Sequence, residues 1–117
     1  MELERMRRVL AEGMGWTLHW PKGGYQRWVN NAYHEMVAYH DWHPDTDWQQ
    51  CGLVIDMMRG KGWTWDVMAY TDGSARVILH HISGRQVSVT AYERRPEREA
   101  RMLCAARALE SEANDGQ

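Results

Sequence analysis

Between residues 63 and 92 three runs alternate in character with a period of two, and this stretch restricts the fold more than any other. Trp63, Trp65, Val67 and Ala69 alternate with Thr64, Asp66, Met68 and Tyr70. In 75–82, Val77 and Leu79 oppose Arg76, Ile78, His80 and Ile82, and in 86–92, Val87, Val89 and Ala91 oppose Gln86, Ser88, Thr90 and Tyr92. Successive side chains of a strand point to opposite faces, so this period reads as strand. Thr71-Asp72-Gly73 and Ser83-Gly84-Arg85 are tight-turn sequences. The three runs therefore form an antiparallel meander whose more apolar face needs a cover of helices.

The period changes on both sides of the meander. In 2–12, Leu3, Met6, Val9 and Leu10 recur at helical spacing, and Gly13 and Gly15 follow. Asp45-Thr46-Asp47 supplies helix-capping side chains and negative charge ahead of an apolar stripe of Trp48, Cys51, Ile55 and Met58, widened by Leu53 and Val54 and closed by Gly60 and Gly62. Pro96 suits a first helical turn, and Met102, Ala105, Ala106 and Leu109 form the stripe of a last helix. The tail 111–117 is polar and reads as frayed. The expectation is an α+β fold of one domain over 1–117, in the order helix, insertion, helix, three strands, helix.

Composition excludes several classes. A net charge of −2 and a pI of about 6.3 lack the basic excess of a dedicated nucleic-acid binder. The opening residues are charged throughout, and no apolar run approaches a membrane span, so the expected location is cytoplasmic. Cys51 and Cys104 match no metal or redox spacing and read as reduced core thiols. There are seven Trp and no Phe, more indole than a domain this small readily buries in one core, which points to an interface or a pocket. With the exposed edges of so small a sheet, it also points to a homo-oligomer.

Asp45-Thr46-Asp47-Trp48, Lys61-Gly62-Trp63, Tyr70-Thr71-Asp72-Gly73, Pro96-Glu97-Arg98-Glu99-Ala100 and Cys104-Ala105-Ala106-Arg107-Ala108-Leu109, in this order, resemble the phage ABA-sandwich domain family. Glu12-Gly13-Met14-Gly15-Trp16 is similar to the end of that family's first helix. The resemblance implies a small phage or prophage protein with a sheet sandwiched by helices. It brings no common activity, no cofactor and no catalytic residue to carry over.

Residues 17–43 lie outside it. They hold half of the aromatic side chains, Trp20, Tyr25, Trp28, Tyr33, Tyr39 and Trp42, and His19, His34, His40 and His43. Pro21-Lys22-Gly23-Gly24 reads as a turn and 31–39 as a short helix. Two readings stay open for this insertion. Its aromatics form an accessory core or an oligomer interface, or they form a binding surface. The second reading assigns Trp20, Tyr25, Arg27, Trp28, Tyr39 and Trp42 to a ligand, rings stacking on a base and cations meeting phosphate, with Lys22 nearby. The histidine spacing fits no zinc pattern, so no metal is expected. Asp66, His80 and Ser88 share strand parity, as polar residues on any sheet face do, and no nucleophile, metal or phosphate-loop motif is present. Arg94, Arg95, Arg98, Arg101 and Arg107 read as a solvated helix face paired with Glu93, Glu97 and Glu99. The expected function is a non-enzymatic phage accessory protein that neutralises a host factor. Its sharpest form is an anti-defence sponge for a nucleotide immune signal; a protein–protein inhibitor of a host defence or CRISPR complex, or a structural or regulatory phage protein, is the alternative.

Overall fold

The meander forms as its alternation dictates. In a computed structural model describing residues 1–115, β4 (Trp63–Ala69), β5 (Ala75–His81) and β6 (Gln86–Val89) pair antiparallel in that order, with Trp65 opposite Leu79 and Leu79 opposite Val87. The odd-numbered residues make one face, where Trp63, Ala75, Val77, Leu79 and Val89 are buried. Thr64, Asp66, Met68, Arg76 and Gln86 on the other face are exposed. Gly62 enters β4 at φ +93°, and a Cβ there would lie 3.1–3.2 Å from His81 and Ile82, so a side chain is excluded both by backbone and by space. His80 and His81 take opposite faces: His80 lies 3.8 Å from Asp66, while His81 meets the Lys61 carbonyl at 3.0 Å and the edge of the Trp63 ring. The third strand is shorter than its alternation suggests. Thr90 and Glu93 form a reciprocal capping box that turns Ala91–Glu93 into a 3₁₀ turn.

One helix lies at the centre of the packing. Helix α3 (Glu97–Asp115) buries Ala100, Met102, Leu103, Cys104, Ala105, Ala106 and Ala108, which is more than one stripe. A helix apolar on most sides is a helix covered on most sides. The β4–β6 sheet takes one side, while α1 (Leu3–Gly13) and α2 (Trp48–Gly60) take others. The alanines allow close approach, and at the far end a Cβ on Gly13 would stand 2.6 Å from a Leu109 methyl carbon. The segment expected to fray from 111 onward is helical as far as Asp115, and the Trp63 indole donates to Glu112 at 2.7 Å; 116 and 117 lie outside the described residues.

Helix α2 starts where its cap was read. Asp47 accepts a hydrogen bond from the Gln50 amide at 3.0 Å. Cys51, Val54 and Met58 face the core, but Trp48 and Leu53, placed on the apolar stripe by sequence, are exposed. Trp48 lies beneath the Arg98 guanidinium at 5.1 Å instead. Three arginines in and just before α3 pair locally: Arg95 with Glu99, Arg101 with Glu97 at 3.2 Å, and Arg107 with Glu93 at 2.6 Å, while Arg98 donates to the Thr46 carbonyl at 2.7 Å. Both cysteines are free thiols shut inside the core, and burial pushes Cys51 up to about 11 and Cys104 up to about 12.

The insertion is not an irregular segment with a short helix. It holds a second antiparallel sheet of β1 (Thr17–His19), β2 (Arg27–Val29) and β3 (Glu35–Ala38), in that order. Leu18, Trp28 and Val37 stand opposite one another across it and pack on the core. The expected helix over 31–39 is prevented by its start. The Asn30 side chain accepts from the Ala32 and His34 amides at 2.9 and 3.0 Å, and Tyr33 sits at φ 61°, closing a hairpin loop that leads straight into β3. Pro21 to Gly24 turns as expected, with the Gly24 amide on the Pro21 carbonyl at 3.0 Å. Among the described residues no helix is long and apolar enough to cross a membrane.

Candidate functional site

A cleft opens where the second sheet meets α1. It is a cavity of about 270 Å³ lined by Glu4, Arg7 and Arg8 of the helix, Trp28 of β2, Tyr39 and His40 of the 3₁₀ turn Tyr39–Asp41, and Trp42. Two of these elements are tied together by backbone. The Tyr39 amide donates to the Gln26 carbonyl at 3.0 Å, which holds the 3₁₀ turn against β2 and sets the Tyr39 ring 6.3 Å from that of Trp28, stacked at 30°. The Trp42 indole donates to the Arg7 carbonyl at 2.8 Å, and its ring meets Trp16 edge-on at 5.0 Å.

Both tryptophans are more structural than a binding role alone would require. Trp28 is 1% and Trp42 2% exposed, and both belong to the main core. The Trp28 indole nitrogen has no partner among the described residues, so packing alone fixes that ring. Truncating either to alanine removes a core side chain, at a cost of about 3–5 kcal/mol.

The charged groups of the cleft are arranged in pairs. Arg7 spans the Asp45 carboxylate with two hydrogen bonds, Nε to Oδ1 at 2.8 Å and Nη2 to Oδ2 at 3.0 Å. Burial opposes ionisation of Asp45, but the Arg7 hydrogen bonds, a backbone hydrogen bond and the Arg7 charge outweigh it, and the carboxyl stays below its ordinary value. One turn before Arg8, Glu4 accepts the Tyr39 hydroxyl at 2.5 Å. That hydrogen bond, with partial burial, holds the phenol above its ordinary value, while Arg8 pulls it back down. Among the described residues Arg8 has no carboxylate at ion-pair distance, and its interaction is with the Tyr39 hydroxyl.

Of the six side chains expected at a ligand, Trp28, Tyr39 and Trp42 come together here. Tyr25 and Arg27 form a separate cluster: Arg27 lies over the Tyr25 ring at 4.5 Å, and both meet Glu35, at 3.3 Å from Arg27 and 2.6 Å from the Tyr25 hydroxyl. Tyr25 borders a shallower depression that shares only His40 with the cleft. Trp20, 72% exposed, lines neither. Glu4, Arg7 and Arg8 escaped the sequence reading because they occupy the charged positions of an amphipathic helix, and the fold alone brings them to the insertion. His43, considered as a metal ligand, instead meets the Thr46 hydroxyl at 3.0 Å, and among the described residues no three His, Cys, Asp or Glu side chains converge on a metal position. No family model, curated protein or solved structure matches the chain.

Proposed function

We propose that the protein is a non-enzymatic binding protein that captures a small, flat, anionic ligand in the cleft between α1 and the second sheet, and that a nucleotide immune signal is the ligand. One observation carries this reading: the half-buried Tyr39 ring, backed by the buried Trp28, stands beside Arg8, which has no carboxylate at ion-pair distance among the described residues. An aromatic face takes a base, and a guanidinium takes phosphate. The likeness of the other blocks to a phage family is what sets this reading in host defence. Among the described residues β4 has a strand partner on one side only, an edge at which two or more copies could pair. The competing reading, an inhibitor of a host defence protein, draws on the exposed side chains of the second sheet and its loops, Trp20 at 72%, Tyr33 at 79% and Met36 at 46%.

Native mass spectrometry of the protein, alone and mixed with mononucleotides, cyclic nucleotides and ADP-ribose-type nucleotides, tests it. Nucleotide adducts in a fixed ratio per chain are expected. A spectrum unchanged by every nucleotide removes the ligand reading and leaves the protein-inhibitor one.

A further inference from the structure

Of the four edge strands in the two sheets, three are blunted and one is not. On the second sheet β1 and β3 span only three and four residues, and the pairing of β2 with β3 shifts register at Trp28 and Val29. On the meander, β6 spans four residues, and its Ser88 carbonyl accepts from Arg107 at 3.3 Å. β4 spans seven residues, holds no proline or lysine, and keeps one register with β5 from Trp63 to Ala69. The hydrogen bonds at its two ends show which of its backbone groups are free. The Ile82 amide donates to the Gly62 carbonyl at 3.1 Å, and the Tyr70 amide to the Ser74 carbonyl at 2.9 Å. In an antiparallel ladder the amide and carbonyl of one residue point the same way, and the direction alternates along the strand. Even-numbered residues of β4 therefore bond to β5, while the amides and carbonyls of Trp63, Trp65, Val67 and Ala69 point away from it.

Beneath this open row the helical cover runs out. The Trp65 indole donates to the Ile55 carbonyl at 3.4 Å, and Arg59 lines with Trp63, Thr64 and Trp65 a hollow of about 380 Å³. The flank of α2 nearest β4 thus carries Trp48, Gly52, Ile55 and Arg59, spaced by three or four residues. Trp48 is 53% exposed, and Gly52, Ile55, Trp65 and Val67 are only half-buried. A row of unpaired backbone groups lies beside a strip of uncovered apolar side chains. A second β4 running antiparallel offers the same row, so every donor meets an acceptor, and lays an apolar strip on an apolar strip. Two-fold axes at residue 65, 66 or 67 keep odd-numbered residues opposite odd-numbered ones. An axis at 66 sets Asp66 directly against its own copy, and like charges there are destabilising. An axis at 67 sets Asp66 opposite Met68 and Trp65 opposite Ala69. An axis at 65 sets Asp66 opposite the Thr64 hydroxyl, Trp63 opposite Val67, and the two Trp65 rings side by side.

We propose that the protein is a two-fold dimer in which β4 pairs antiparallel with β4 of a second copy, the axis passing at Trp65, so that the two meanders form one continuous sheet. Sedimentation equilibrium of the full chain, at up to about 100 μM to populate an interface of ordinary strength, tests this. The parent should sediment as a dimer. Val67→Pro removes an amide that the native ladder does not use, so the variant should stay folded and sediment as a monomer; its thermal midpoint is measured alongside. Thr64→Lys and Thr64→Asp change an exposed side chain on the outer face, and they test the register whether or not Val67→Pro folds. Each dimer holds two pairings of residue 64 with Asp66. Lysine should therefore tighten association, and aspartate weaken it, by about threefold or more. A parent that stays monomeric or assembles beyond two copies overturns the proposal. So does a folded Val67→Pro that dimerises as tightly as the parent, or equal association of the two Thr64 variants. None of these results bears on nucleotide capture, which the native mass spectra decide separately.

Discussion

Arg7 and Arg8 are neighbours in sequence with opposite assignments, and the difference comes from one buried carboxylate. Asp45 lies just before the cap of α2, yet it bonds back to α1 through Arg7, so a single ion pair positions one wall of the cleft against the body of the protein. Asp45→Asn removes the charge while keeping the shape. It should lower the unfolding free energy at neutral pH by about 2 kcal/mol, since charged hydrogen bonds are lost and a guanidinium is left without its counter-charge. The pH dependence has a definite sign. Because the folded-state value of Asp45 lies below the ordinary value of 3.8, its contribution is complete above that value and disappears as the pH falls through the depressed one. Denaturant titrations from pH 7 to pH 2 should show the parent losing more stability than Asp45→Asn. A residual acid limb should remain in the variant, because the hydrogen bonds of Glu93 with Arg107 and of Asp72 with Ser74 depress those carboxyls too.

Elements long enough to repeat their period were legible, and shorter ones were not. Strands β4 and β5 each span seven residues, and the buried stripes of α2 and α3 run over several turns, so alternation and helical spacing had room to register. Strands β1 and β2 have three residues each, and β3 has four, too few to establish a period of two. What forms them is loop chemistry at Asn30 and Tyr33 and the packing of Leu18, Trp28 and Val37 on a core assembled from distant segments. The candidate site shows the same limit: its aromatic half was visible as a local concentration of rings, while its ionic half sits on α1 and is joined to it only by the fold. Caps are the exception among short features, because a cap acts through its own side chain. Asp47→Ala should cost about 1 kcal/mol in chemical denaturation, with the m-value unchanged. A cost within error of zero would show that Asp47 does not hold the start of α2.

At the scale of the whole molecule, α3 joins parts that otherwise touch little. It carries the meander on one side and α1 on another, and its last turns are pinned by Glu110 to Arg5 at 2.8 Å and by Glu112 to Trp63 at 2.7 Å. A chain ending at Leu109 should therefore lose more than a polar tail ordinarily contributes. Leaving the Trp63 indole without its acceptor costs about 1–3 kcal/mol on its own, and the thermal midpoint should fall measurably against the full chain. A midpoint that does not move would mean that α3 is complete without its last turns. The docking of α1 on α3 also sets an order in time. Arg8 and Glu4 leave the ribosome on a helix whose helical partner, α3, is synthesised only about ninety positions later. During translation the nascent chain holds the pieces of its cleft without the cleft, which is complete only once its distant end has closed over its beginning.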